Sequence, residues 1–130
     1  MVIMKTRVAF SGRFDPPHNS HFITAMRLSK KYDEVLIVIL DYKGRKFSAQ
    51  YAEQVFNEMI ELSKAWDRVK VIINTVHFGE LTRQQWDELN CTHYASGNSK
   101  VLSHIAELGV KVYYTDRAYD YAAHNYSPSD

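Results

Sequence analysis

The stretch EVLIVIL at residues 34–40 constrains this chain more than any other part of it. Its apolar run is unbroken and rich in β-branched residues, yet far short of the roughly 20 apolar residues that cross a bilayer. A strand with one wet face alternates polar and apolar side chains. A run without alternation belongs to a strand covered on both faces, as in a parallel sheet flanked by helices. The neighbouring segments agree with that placement. Residues 6–11 read as an earlier strand ended by Gly12, and residues 20–31 as a helix with Phe22, Ala25, Met26 and Ser29 on one face. Residues 49–65 read as a second helix, whose apolar positions Tyr51, Val55, Met59, Leu62 and Trp66 form a stripe at helical spacing and are expected to face the core.

The alternation continues to the end of the chain. Residues 69–73 read as a third strand, and Thr82 followed by Gln85 has the form of a capping box that starts a short helix through Leu89. Residues 92–96 read as a fourth strand, residues 99–108 as a helix stopped by Gly109, and residues 110–114 as a fifth strand. This βα order predicts a Rossmann-like α/β fold: one domain over residues 1–130, with a parallel sheet of about five strands and helices on both faces. Ligands of such sheets bind at the carboxyl ends of the strands, where strand order switches. The chemistry is therefore expected at Ser11-Gly12, Asp41-Tyr42, Ser96-Gly97 and Thr115-Asp116.

Composition narrows the partners. With 130 residues, 45% hydrophobic and 24% charged, the chain suits a soluble globular domain with a real core. A formal net charge of +1 provides no general attraction to nucleic acid or to an anionic membrane, so any anion site must be local. Residues 1–10 lack the features of a signal peptide, and Cys91 is the single cysteine; a cytoplasmic protein without disulfides is expected. No Cys or His pair around Cys91 has structural-zinc spacing, and no residue is assigned as a metal ligand.

The string Gly12-Arg13-Phe14-Asp15-Pro16-Pro17-His18-Asn19-Ser20-His21 follows the first strand. Gly12 stands where a side chain would obstruct a ligand approaching the backbone. Asp15-Pro16-Pro17 imposes a rigid, extended turn, because proline fixes its own φ and restricts the residue before it. His18 and His21 are three apart at a helix start and share a face. The unpaired N–H groups of that helix start suit phosphate, and two imidazoles beside them can donate to phosphate oxygens and stabilise charge as a phosphoryl bond changes partners. The plainer account is a helix cap with two surface histidines. Lys43, Arg45 and Lys46 crowd together after the second strand; read alone they are a solvated loop.

At these residues the sequence resembles the nucleotidyltransferase family with the HIGH-type signature, which includes cytidylyltransferases such as the glycerol-3-phosphate enzyme and small adenylyltransferases. The family pattern, roughly G-x-F-D-x-x-H-x-G-H, is matched by Gly12, Phe14, Asp15, His18 and His21, with Ser20 in place of the second glycine. The resemblance implies transfer of a nucleoside monophosphate from an NTP to a small phosphorylated acceptor, with pyrophosphate released and Mg²⁺ assisting. It implies His18, His21 and Lys46 as catalytic residues, and Gly12, Arg13, Phe14, Asp15, Lys43, Gly97, Asn98 and Arg117 as nucleotide-binding residues. Lys46 and Tyr51 keep the spacing of the cytidylyltransferase branch, whereas Lys43 fits the adenylyltransferase branch, so the phosphate lysine stays open between the two. CTP is favoured over ATP on length and on the Lys46–Tyr51 spacing; the G-R-F-D-P-P-H wording leans back toward ATP. For Asp15 the alternatives are the geometry of an Asp-Pro turn and a water-mediated contact to Mg²⁺; for Asn98 the alternative is a helix cap.

The sequence departs from the pattern in two places. Gln54 stands where the family often has an arginine, and residues 115–130 form an atypical tail in which alanines replace the hydroxyls of the family's terminal phosphate-binding motif. An adenylyltransferase of the same kind, and a nucleotide-binding protein that keeps the fold without turnover, are the alternatives this leaves. A third is an interaction module using the aromatic tail, which holds Tyr119, Tyr121 and Tyr126, with a homodimer as one outcome.

Overall fold

The computed structural model describes residues 5–115, which form a five-stranded sheet in the order β3-β2-β1-β4-β5. Its strands are β1 (Arg7–Gly12), β2 (Glu34–Leu40), β3 (Val69–Asn74), β4 (His93–Ser96) and β5 (Lys111–Tyr114), and every adjacent pair is parallel. The helices are α1 (Asn19–Lys31), α2 (Ala49–Ser63), α3 (Arg83–Glu88) and α4 (Ser99–Glu107), with a short 3-10 turn at Phe78–Glu80. Strand order reverses between β1 and β4. There the chain leaves neighbouring strands toward opposite faces, and a crevice opens at their carboxyl ends.

β2 behaves as its sequence predicts. Val35, Ile37 and Ile39 point into the core beneath α1 and α2, while Leu36 and Val38 point into the core beneath α3 and α4. β1 and β4 divide in the same way: Val8, Phe10 and Ala95 face the first layer, Ala9 and Tyr94 the second. Capping is local and legible. Thr82 accepts from the Gln85 amide while the Gln85 side chain accepts from the Thr82 amide, and Ser48 accepts from the Tyr51 amide at the start of α2.

The face of α2 differs from expectation. Its buried residues are Ala49, Ala52, Phe56 and Ile60, whereas Tyr51 and Trp66 are about half exposed and Leu62 is 85% exposed. Two stripes run along this helix. The buried one carries alanines that let the helix backbone approach the sheet closely, with Phe56 filling the remaining space against Phe14. Total hydrophobicity favours the bulkier stripe, but shape complementarity decides. A similar adjustment holds for α1, where Ser20, Thr24, Ala25 and Leu28 are buried, and Phe22 and Met26 pack at the margin.

Candidate functional site

A cleft of about 300 Å³ lies across the carboxyl ends of the strands. One wall is the β1–α1 loop and the start of α1: Gly12, Arg13, Phe14, Ser20, His21 and Thr24. The opposite wall is Asn74 at the end of β3, the following Val76-His77-Phe78, and Val101 of α4. Ser11, Tyr94, Ser96, Gly97 and Thr115 lie at the strand ends between them.

The signature loop is built from inside the fold. Phe14 is buried with its ring edge-on to Phe10, Phe56 and His21, and this packing holds its backbone at φ 49°, a region that bulky residues rarely enter. A Cβ on Gly12 would lie 2.9 Å from the Phe14 ring. Glycine is thus required by the packing of Phe14 as well as by any ligand. Asp15 turns inward: it accepts from the Tyr42 hydroxyl at 2.7 Å, the Lys46 amide at 2.8 Å and the Phe47 amide at 2.7 Å. Burial alone would raise its pKa. The hydrogen bonds from Tyr42, Lys46 and Phe47, with the Arg45 charge nearby, outweigh that and hold the carboxyl below its ordinary value.

Arg45 completes the fastening. Its guanidinium donates to the carbonyl oxygens of Arg13, Phe14, Leu40 and Phe47, tying the loop after β1 to the loop after β2. The Tyr42 ring lies beside both Arg13 and Arg45, at 5.3 and 5.4 Å from their guanidinium carbons. One member of the basic cluster is therefore structural. Lys43 and Lys46 are both exposed and outside the cleft lining. Lys46 differs from Lys43 in that its backbone is fastened through Asp15 to the signature loop, while Lys43 precedes Gly44, which turns the loop at φ 94°.

His18 caps α1, and its amide donates to Nδ1 of His21 at 2.9 Å. An Nδ1 that accepts leaves Nε2 as the protonated nitrogen of a neutral His21 ring, and that ring lines the cleft. The two imidazoles lie 5.4 Å apart, centroid to centroid, at the N-terminal end of α1. Across the strand ends, Asn98 serves as the cap of α4 and lines the cleft as well: its carbonyl oxygen accepts from the amides of Lys100 and Val101. Gly97 lies beside it, so the structure brings His21, Gly12, Arg13, Phe14, Gly97 and Asn98 into one cleft. Arg117 lies outside the described residues, as does the aromatic tail beyond Thr115.

Three contributors escaped the sequence reading. Tyr94 is buried beside the cleft with its hydroxyl 2.5 Å from that of Ser11; burial pushes its pKa up to about 12, so it stays a neutral phenol. Asn74 and His77 follow the end of β3, the one early strand end left out of the candidate ligand positions. The signal was there: a polar Asn74-Thr75 and a histidine directly after an apolar strand. Cys91 does not line the cleft, and burial pushes its thiol up to about 11, which disfavours it as a nucleophile at neutral pH.

A common polarity emerges. His21, Asn74, His77 and Asn98 each have their acceptor atom occupied by a backbone N–H, from His18, Val76, Gly79, and Lys100 with Val101 respectively. Besides these acceptors the four side chains carry N–H groups, and the hydroxyls of Ser11, Tyr94, Ser96 and Thr115 add groups that both donate and accept. No acidic side chain is among the described residues that line the cleft, and Arg13 is its cation. Such a lining is compatible with anions.

Comparison with known proteins bears on the same residues. Residues 9–72 match the cytidylyltransferase-like family. A phosphopantetheine adenylyltransferase from Aquifex aeolicus (strain VF5) is 38% identical over 61 residues, which cover 45% of this chain and 37% of that protein. The matched stretch thus spans well under half of the relative's length. Among solved structures, a bifunctional NMN adenylyltransferase/ADP-ribose pyrophosphatase from Francisella tularensis superposes with a TM-score of 0.67 at 17% identity, over 87% of this chain and 38% of its own. A lipopolysaccharide core biosynthesis protein from Thermoplasma volcanium GSS1 superposes with a TM-score of 0.57 at 21% identity, over 87% of this chain and all of its own. A NadR protein in complex with NAD and AMP-PNP superposes with a TM-score of 0.61 at 18% identity, over 94% and 41%. These likenesses agree on the fold. The match from β1 into β3 adds a likeness to the cytidylyltransferase-like family over residues 9–72, on a sheet of Rossmann-like architecture.

Proposed function

We propose that this protein transfers a nucleoside monophosphate from an NTP to a small phosphorylated acceptor in the cleft at the β1/β4 switch point. The observation that carries the reading is a described lining with Arg13 and no carboxylate, with a signature histidine at the start of α1 and Asn98 at the start of α4. An acceptor phosphate would attack the α-phosphorus in line, and pyrophosphate would leave. Negative charge builds on the phosphoryl oxygens as this happens. N–H groups already aimed by backbone hydrogen bonds stabilise it without reorganising. Positioning supplies the rest. His21 lies with Phe14 against its ring and His18 on its Nδ1, so its Nε2–H is held in place by the fold.

Among the described residues no carboxylate lines the cleft, and no group of three or more potential ligands is found. The described residues do not make a seat for Mg²⁺. In this reading the ion arrives on the NTP phosphates, as a counter-ion that the protein does not ligate.

Between the two donors, ATP is the stronger reading. Tyr51, half of the spacing that favoured CTP, is exposed and stacked on Phe47, away from the cleft lining. The matched relative is an adenylyltransferase. The test is pyrophosphate release from ATP and CTP with phosphopantetheine, nicotinamide mononucleotide and glycerol 3-phosphate as acceptors, beside calorimetric binding of each nucleotide. Acceptor-dependent release supports transfer. Binding without release would favour a nucleotide-binding protein that has kept the fold alone, and absence of both would leave an interaction module. A cytoplasmic setting goes with the same reading.

A further inference from the structure

We propose that Asn74 and His77 are specificity-determining residues that bind the second substrate by donating hydrogen bonds to its oxygens. The inference rests on the transfer reading above and assigns one wall of the same cleft. In-line displacement puts the attacking oxygen opposite the leaving pyrophosphate. With the triphosphate at the start of α1, the attacking group must come from the facing wall. Among the described residues that wall is Asn74, Val76, His77, Phe78 and Val101. Its apolar members, Val76, Phe78 and Val101, offer a surface for the body of an organic acceptor. Asn74 and His77 are its polar members.

The same device holds both. The Asn74 side-chain Oδ1 accepts a long bond from the Val76 amide at 3.4 Å, and Nδ1 of His77 accepts from the Gly79 amide at 2.9 Å, each bond reaching two residues ahead. Each side chain is thereby turned so that its donors, the Asn74 amide N–H₂ and the His77 Nε2–H, remain for a ligand. The His77 ring lies so close over Gly79 that a Cβ there would meet Nδ1 at 2.9 Å and Cε1 at 3.0 Å. Phe78 stacks on Tyr94 at 5.1 Å, which anchors the segment to β4. His77 both caps the 3-10 turn and lines the cleft. The occupant implied has oxygens facing this wall, such as hydroxyl, amide or phosphate, on a partly apolar body. An acceptor without them would be rejected, because the two donors would be left unpaired.

Two substitutions separate binding from capping. Asn74→Asp keeps the shape and the bond to the Val76 amide but replaces the donor by a carboxylate oxygen. His77→Asn keeps an acceptor for the Gly79 amide and removes Nε2–H. The full chain would be assayed with ATP and whichever of phosphopantetheine, nicotinamide mononucleotide or glycerol 3-phosphate it turns over. Each variant is expected to raise acceptor KM about tenfold or more, the loss of one hydrogen bond. ATP KM should stay within twofold, kcat within threefold and Tm within 2 °C of wild type, each taken as about the assay's resolution. Unchanged acceptor KM, or a rise in ATP KM of equal size, overturns the assignment. A second readout does not need turnover: the His77 ring resonances of ¹⁵N-histidine-labelled wild type, titrated with the same three acceptors in the presence of ATP. A shift at His77 that His77→Asn removes supports the inference even where no transfer occurs. No shift with any of the three overturns it.

Discussion

Asp15→Asn tests how the signature loop is held. The carboxylate accepts from Tyr42 and Lys46 on one oxygen and from Phe47 on the other. In the best orientation, asparagine keeps its oxygen toward Tyr42 and Lys46 and turns its N–H₂ against the Phe47 amide. One charge-assisted bond is then lost, at about 1.5–3 kcal/mol, and two weaken from charged to neutral. Phe47 is 43% exposed, so water recovers part of the loss at its amide. The net destabilisation is expected at about 2–3 kcal/mol, or roughly 10 °C in Tm for a domain of this size.

The pH dependence carries a sign. The folded pKa of Asp15 lies below its unfolded value, so the carboxylate's contribution is full above that unfolded value, about 3.9, and is lost as pH falls through the lowered folded one. The gap between wild type and Asp15→Asn should be constant from about pH 5 to pH 8 and close as pH drops below about 4. Urea unfolding followed by tryptophan fluorescence reads this directly, since Trp86 is buried. A gap under about 0.5 kcal/mol at pH 7, or one that persists undiminished at pH 3, would refute the fastening role.

Other outcomes follow from the same geometry. His18→Ala and His21→Ala should each lower kcat about a hundredfold while the fold survives, as for loss of one transition-state donor; near-normal turnover in either would remove it from the chemistry. Lys46→Ala should reduce kcat/KM more than Lys43→Ala, because the Lys46 backbone is fastened to the signature loop; equal, small effects would return both lysines to solvent. Phe56→Ala should cost about 3–5 kcal/mol in urea unfolding, whereas Leu62→Gln should stay within about 0.5 kcal/mol. The reverse order would contradict the observed face of α2.

Legibility in the sequence followed the range of the interaction that decides each feature. β2 was readable because burial on both faces leaves a local trace, and the Thr82 cap because three residues contain it. His21 and its surroundings were readable as a contiguous string. The face of α2 was not, since the choice between Phe56 and Leu62 depends on the shape of the sheet surface and on Phe14 above it. Arg45 looked like one more solvated cation, because its partners at Arg13, Phe14 and Leu40 meet only when two loops fold together. His77 belongs to no motif in the sequence; its place in the cleft comes from the segment that runs from β3 to pack Phe78 on Tyr94.

The account turns on which phosphorus is attacked. Incubating the protein with an accepted phosphorylated substrate and ATP labelled at either the α- or the γ-phosphate decides it. Nucleotidyl transfer predicts that α-label appears in the acceptor product and γ-label in pyrophosphate, both suppressed about a hundredfold in His21→Ala. Gamma-label in the acceptor, or release of labelled orthophosphate without an acceptor product, would contradict it.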